Sequence, residues 1–414
     1  MLDRLFASIV KSGTLILQTA GGRRMSFGTG TPEITMRLHD RAAYYELAIN
    51  PELKLGELYM DGRLTVENGD IADLLDLLMS NLALVQPGPL MRLLRRWRSM
   101  TRRWRQRNHS VRSRRNVAHH YDLSGKLYDI FLDRDHQYSC AYFSAPGESL
   151  DEAQIGKKRH IAAKLYLDRP GLNVLDIGSG WGGLALDLAR DCGARVLGVT
   201  LSEEQIGISR HRAQAAGLAD RCRFELVDYR ALNGTFDRIV SVGMFEHVGV
   251  PYYPAFFAKV CALLNDDGVA LLHTIGRSDG PGVTNPWTAK YIFPGGYTPA
   301  LSEVVPVIER AGLIVADVEV LRLHYAETLK EWRRRFKAQW RLAAELYDER
   351  FCRMWEFYLA GAEMGFRREG LVVFQIQLAK RIDTLPITRD YMFESEQTMR
   401  FAGTEAMPRP VRAA

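Results

Sequence analysis

From Asn116 onward, short apolar runs alternate with segments in which apolar residues recur every three or four positions. NVLD (173–176), GARVLGVT (193–200), CRFELVD (222–228), FDRIVSV (236–242) and VALLHTI (269–275) predict strands. Leu184 to Arg190 and the segments 203–216 and 252–264 predict helices between them. A helix over 299–312, a strand near 313–321, a long aromatic-rich helical insertion from Thr328 to about Arg368, and a late strand at 371–379 follow. Strand–helix alternation of this kind predicts an α/β fold built on a parallel, doubly wound sheet.

The rest of the chain divides around that unit. Residues 1–86 predict a smaller α/β domain, with strands at 15–19, 23–27 and 33–39. An amphipathic helix follows from Ile71 to Leu84, with Asp73 and Asp76 on its wet side. This domain carries no catalytic constellation, so packing or lipid and substrate handling is the expectation. Residues 87–115 read as a basic amphipathic linker, 116–383 as the main domain, and 384–414 as a polar tail with no evident fold.

Composition sharpens the picture at one place. The 414 residues are 47% hydrophobic and 25% charged, as in ordinary globular proteins, and the net charge is +6. That charge is concentrated: 11 arginines and no acid lie between Arg92 and Arg115, interleaved with Leu93, Leu94, Trp97, Met100 and Trp104. A plain solvated linker has no need of the tryptophans, and nucleic-acid binding is not expected. A basic amphipathic segment lying on anionic lipid accounts for both charge and apolar face. No stretch approaches about 18 consecutive apolar residues, and no signal peptide is evident. The expected location is therefore the cytoplasm, peripherally on the inner face of the membrane. Five dispersed cysteines without C-x-x-C suggest neither disulfides nor zinc, and no metal is expected.

Candidate chemistry centres on NVLDIGSGWGG (173–183). Glycines at 178, 180 and 182 let backbone approach a ligand, and the following helix presents free N–H groups to an anion. The pattern alone is shared by NAD, FAD and methyl-transfer enzymes. A dinucleotide site wants an acid about 20 residues on, where this chain has Thr200. The acid stands instead at Asp176, where it can pair with an amino-acid ammonium, while the helix N-terminus at Gly182 faces the matching carboxylate. Asp228 can meet an adenine amino group, with Tyr229 beside it to stack. The expected ligand is S-adenosylmethionine (SAM).

Several ordered motifs then carry a resemblance. YDLSGKLYDIFLDRDHQYSCAYF (121–143), VLDIGSGWGG (174–183), LGVTLSEEQ (197–205), DRIVSVGMFEHVG (237–249), LLHTIG (271–276) and NPWTAKYIFPGG (285–296) together resemble the cyclopropane-fatty-acyl-phospholipid synthases, relatives of the mycolic-acid cyclopropane synthases. GELYMDGRL (56–64) is similar to part of that family's N-terminal domain. The resemblance implies a Rossmann-like class I SAM-dependent methyltransferase domain with a helical insertion. It implies SAM contacts at Tyr138 and Ser139, in the 174–182 loop with Asp176, Gly178, Gly180 and Gly182, from Thr200 to Gln205 with Ser202, and at Tyr229 with Arg230, to which the strand-end position adds Asp228. It also implies a bound bicarbonate as general base, caged by Cys140, Glu246, His273, the backbone of Ile275, and Tyr325. The implied substrate is an unsaturated phospholipid, and a homodimer is left open.

The chemistry is demanding. A cis-alkene is a weak nucleophile, so only a strongly activated methyl, such as that on a sulfonium, transfers to it. Transfer leaves a carbocation, and ring closure requires removal of a proton from the methyl just delivered. Aromatic faces and exclusion of water suit such a cation. One departure stands out: many family members have a cysteine where this chain has Ala362. That leaves open a sister methyltransferase giving a methyl-branched or otherwise modified chain. A non-catalytic lipid-binding relative is the reading from another class, against which the intact glycine turn argues.

Overall fold

The structure is a computed structural model that describes residues 2–82 and 125–405. The basic segment 87–115 lies outside the described residues. The N-terminal unit runs α1 (Leu2–Ile9), β1 (Gly13–Gln18), β2 (Arg24–Thr29), β3 (Glu33–Leu38), α2 (Arg41–Ile49), α3 (Pro51–Met60), β4 (Leu64–Val66) and α4 (Ile71–Leu82). Its sheet has the order β2-β1-β3-β4, with β1 and β3 parallel. The three strands expected from the sequence fall within a residue or two of those observed. Helix α1 was not expected.

The second unit runs α5 (Gly125–Phe131), α6 (Leu150–Lys164), β5 (Asn173–Ile177), α7 (Gly183–Asp191), β6 (Arg195–Thr200), α8 (Glu203–Ala215), β7 (Cys222–Leu226), β8 (Phe236–Val242), α9 (Tyr253–Leu263) and β9 (Leu264–Arg277). It continues with α10 (Pro286–Tyr291), α11 (Leu301–Arg310), β10 (Ile314–Leu321), α12 (His324–Ala338), α13 (Trp340–Leu346), α14 (Glu349–Arg368), β11 (Leu371–Ala379) and α15 (Asp390–Glu405). Seven strands lie in the order β10-β11-β9-β8-β5-β6-β7. The five central and far-edge strands are parallel, as expected. β11 is antiparallel to both β9 and β10, so the sheet is mixed at that edge. Periodicity reports burial, not direction, and β11 is buried along nearly its whole length. None of the described helices is long and apolar enough to cross a membrane.

The expected helical insertion is present and consists of three helices. It breaks at Gln339 and Tyr347, and α14 restarts where Asp348 caps the Phe351 N–H at 2.6 Å. These helices carry the N-terminal unit: α3 and α4 pack on α14. Trp287 donates to Met60 Sδ at 3.2 Å, and Arg333 pairs with Asp70 at 2.9 Å. Asp76, expected to be solvated, pairs with Arg368 at 2.6 Å.

The expectation of a polar tail without a fold is corrected. Residues 390–405 form α15, which docks on α6. Buried His160 of α6 lies between Glu396 of α15 and Glu319 of β10, with Nε2 2.6 Å from Glu319, and Lys164 pairs with Glu319 as well. Burial alone would lower the His160 pKa, but the two carboxylates outweigh it and hold it above the ordinary value. Glu319, although burial opposes its ionisation, is held down at about 2 by His160 and Lys164. The histidine contribution is complete below its unfolded pKa near 6.5 and is lost as pH rises through the raised folded value. The Glu319 contribution is present above its unfolded value of 4.5 and is lost as pH falls toward about 2. Helix α15 is therefore held most firmly between about pH 5 and 6.5. Hydrogen exchange over 390–405, corrected for intrinsic rates, should show protection falling by about 1–3 kcal/mol above that window. In His160→Gln that alkaline loss should vanish. An equal pH dependence in the variant would remove His160 as the clamp.

Candidate active site

In open α/β sheets, ligands lodge at the carboxyl ends of strands where strand order switches. Here that point lies between β5 and β8, and β5 runs directly into the glycine turn. Gly178 and Gly182 have φ of 86° and 82°, which only glycine adopts readily. A Cβ on Gly178 would also stand 2.9 Å from Met244 Cβ. Over the turn opens a cavity lined by Asp176, Gly178 and Gly180, by Thr200 and Gln205, by Asp228 and Tyr229, and by Tyr138 and Ser139.

Two expected residues do not line it. Gly182 faces the core, where an added Cβ would lie 2.7 Å from Phe224 Cζ and 2.9 Å from Ser209 Cβ. Ser202 caps α8, accepting the Gln205 N–H at 3.3 Å. The helix start at Gly182, expected to receive a ligand carboxylate, does not line the cavity, and the Gly182 N–H donates to Ser179 O at 2.9 Å. Thr200 donates to Gln205 Oε1 at 2.9 Å, which leaves the Gln205 amide N–H groups for a ligand. Asp228 is more engaged than expected, because Arg230 grips it through Nε at 2.9 Å and Nη2 at 2.5 Å. A carboxylate offers about four lone-pair positions, so such a grip does not exhaust it.

Trp181 and Arg230, within the expected set, line the cavity as well, and Lys157, Gln137 and His247 line it without having been expected. The available signal for Lys157 was its place in the stripe Leu150, Ala153, Lys157, Ile161 and Lys164 of α6. Lysines occupy positions there where helical spacing calls for apolar residues.

Deeper in, β8 and β9 are neighbours, pairing Val242 with His273. Glu246 follows β8 and Ile275 follows His273, so register brings them together: Glu246 Oε1 accepts the Ile275 N–H at 2.5 Å. Among the described residues, Glu246 Oε2 is buried with no hydrogen-bond partner. Burial pushes the Glu246 carboxyl up to about 7, despite the backbone N–H groups that favour its charged form. His273 is held neutral, because burial and then the Lys157 charge push it down to about 3. Its Nδ1 lies 3.1 Å from the Gln375 amide nitrogen, which leaves the ring proton on Nε2. Cys140 is fully buried, and burial raises its thiol well above the ordinary range, so it is no thiolate.

Cys140, Tyr325 and Ile275 belong to one apolar cluster. Tyr138 stacks on Trp332 at 5.1 Å, and Trp332 meets Tyr325 edge-on at 5.8 Å. This aromatic wall joins the cavity to Tyr325. None of Cys140, Glu246, His273, Ile275 and Tyr325 lines the cavity itself. Ala362 lies on α14 against the same cluster.

The sheet order and the cavity over its glycine turn define a class I SAM-dependent methyltransferase. The family model described as mycolic acid cyclopropane synthetase matches residues 108–376, and the chain belongs to that family. A model described as a domain of unknown function matches residues 2–84. The chain is 41% identical over 289 residues to a "probable fatty acid methyltransferase" of Pseudomonas putida, covering 67% of this chain and 73% of that one. It is 40% identical over 264 residues to the cyclopropane-fatty-acyl-phospholipid synthase of Escherichia coli K12, covering 64% and 67%. Among solved structures, the cyclopropane synthase MmaA2 of Mycobacterium tuberculosis superimposes with a TM-score of 0.61. It is 33% identical, and the match covers 64% of this chain and 98% of that one.

Proposed function

We propose that this protein converts the cis double bond of an unsaturated phospholipid acyl chain into a cyclopropane, with SAM as methyl donor and bicarbonate as base. The observation that carries the reading is the orphaned, buried Glu246 Oε2 beside the Ile275 N–H, close behind a nucleoside-type cavity. A buried carboxylate oxygen with no partner among the described residues, in an apolar surround, fits a small acid that can give it a hydrogen bond. Cys140, Glu246, His273, the Ile275 backbone and Tyr325 would hold bicarbonate, which supplies the proton acceptor when bound. Asp176, Gln205 and Tyr229 would hold the methyl donor.

In the reaction, the alkene pair forms a bond to the methyl carbon while the carbon–sulfur pair leaves with sulfur. The neighbouring carbon becomes a cation, and loss of a proton from the new methyl lets its C–H pair close the ring. Buried apolar and aromatic walls exclude the water that would otherwise trap the cation. The arginine-rich segment 92–115 would bring the protein to an anionic leaflet, since each arginine near such a surface contributes about 1 kcal/mol.

Ala362 and the likeness to a fatty acid methyltransferase favour one second reading, methylation without ring closure. One assay separates them. Purified protein with SAM and unsaturated anionic phospholipid vesicles should give lipids 14 mass units heavier, the mass of one added CH2 group, with cyclopropane protons by NMR. The same gain without a ring moves the activity to the sister reaction. No gain excludes both.

A further inference from the structure

We infer that Lys157 holds the carboxylate of the methyl donor's amino-acid group, opposite Asp176 on its ammonium. This rests on reading the cavity as a SAM site. Lys157 sits in the middle of α6 and is 1% exposed. Its Nζ donates to Gln137 Oε1 at 2.6 Å and to Ser139 Oγ at 2.8 Å, and both residues line the cavity with it. An ammonium carries three donors, so one remains for the cavity.

Its charge is unmatched. Among the described residues, no carboxylate lies within 4.0 Å of Lys157, whereas adjacent Lys158 pairs with Asp135 at 2.7 Å and Asp187 at 2.5 Å. Burial pulls Lys157 down to about 8, against the pull of Asp133 and Asp135. Asp176 shows the converse. It is 2% exposed, accepts no hydrogen bond among the described residues, and lines the same cavity near enough to feel the Lys157 charge. Buried charges are costly unless matched by an opposite charge and hydrogen bonds. Two such charges of opposite sign, both facing one cavity and not paired with each other, suit a ligand end that is itself zwitterionic. The helix start at Gly182, the other candidate for the carboxylate, does not line the cavity. If Lys157 were a scaffold, pinning the 137–139 loop through two neutral oxygens, the ligand carboxylate would make no difference to it.

The test compares S-adenosylhomocysteine with its decarboxylated analogue, which keeps the nucleoside, thioether and amine, by calorimetry on the full chain. Wild-type protein should prefer the carboxylate form by at least about tenfold. Lys157→Gln, which keeps hydrogen bonding to the loop, and Lys157→Met should each lose about 10- to 100-fold for S-adenosylhomocysteine and little for the analogue. The inference is overturned by a wild-type protein without preference, by variants that keep the preference, or by variants that lose both ligands equally. Wild-type protein that bound neither compound would instead sink the reading of the cavity as a SAM site.

Discussion

Replacing Glu246 with glutamine is expected to lower turnover on unsaturated lipid by about 10²- to 10⁴-fold, the range for removing a proton-handling group. Affinity for S-adenosylhomocysteine should stay within about twofold. The substitution is nearly isosteric, and a glutamine Oε1 still accepts the Ile275 N–H, so the turn after β8 keeps its anchor. Glu246 does not line the nucleoside cavity, so cofactor affinity has no reason to change. What is lost is the second carboxylate oxygen, the buried acceptor with no partner among the described residues. Because burial places the carboxyl near 7, wild-type rates should rise with pH through about 7 as it ionises, and the variant should lack that limb. Steady-state rates across pH, read by lipid mass spectrometry, check both. Activity within about threefold of wild type would remove Glu246 from the chemistry. A variant that still transfers methyl but yields acyclic product would assign Glu246 to ring closure alone.

The elements of the methyl-transfer domain were legible because each is a local pattern: apolar runs of strand length, helical stripes, and a glycine turn between them. Elements defined by distant partners were not. Helix α15 is polar, and what fixes it is Glu396 meeting His160, 236 positions away in sequence. The reversal of β11 depends on pairing with β9, about a hundred residues earlier, and leaves no mark on periodicity. The same limit divides the site. Asp176, Thr200 and Asp228 stand at strand ends, which a strand pattern locates. Gly182 looked like its neighbours in the motif, yet its missing side chain makes room for Phe224 and not for a ligand. A lysine on a helix is usually solvated, so the place of Lys157 in the apolar stripe of α6 is a weak mark, and the fold shows it turned inward.

Asp176→Asn is expected to weaken S-adenosylhomocysteine binding by about 100-fold while making the ligand-free protein more stable. Burial pushes the Asp176 carboxyl from its ordinary 3.8 up to about 7, only partly offset by the Lys157 charge. Between those values the folded protein keeps a proton that the unfolded chain has released. Stability therefore falls as pH rises from about 4 through 7 and stays lower above. A shift of this size corresponds to a penalty on the order of 2–4 kcal/mol near pH 7.5, which a neutral asparagine relieves. The ligand ammonium reverses the balance by favouring the ionised carboxylate. Wild-type affinity should climb with pH up to about 7 and decline again above about 8 as Lys157 loses its charge, and the variant should lose the rising limb. Removing one partner of a desolvated charge pair costs about 3 kcal/mol in binding, which sets the 100-fold expectation. Thermal unfolding of the ligand-free forms and calorimetric titration across pH measure the two halves separately. A variant that lost stability along with binding would make Asp176 a structural residue of β5. A stabler variant with unchanged affinity would place the ligand's ammonium elsewhere, and would leave the unmatched charge of Lys157 without its counterpart.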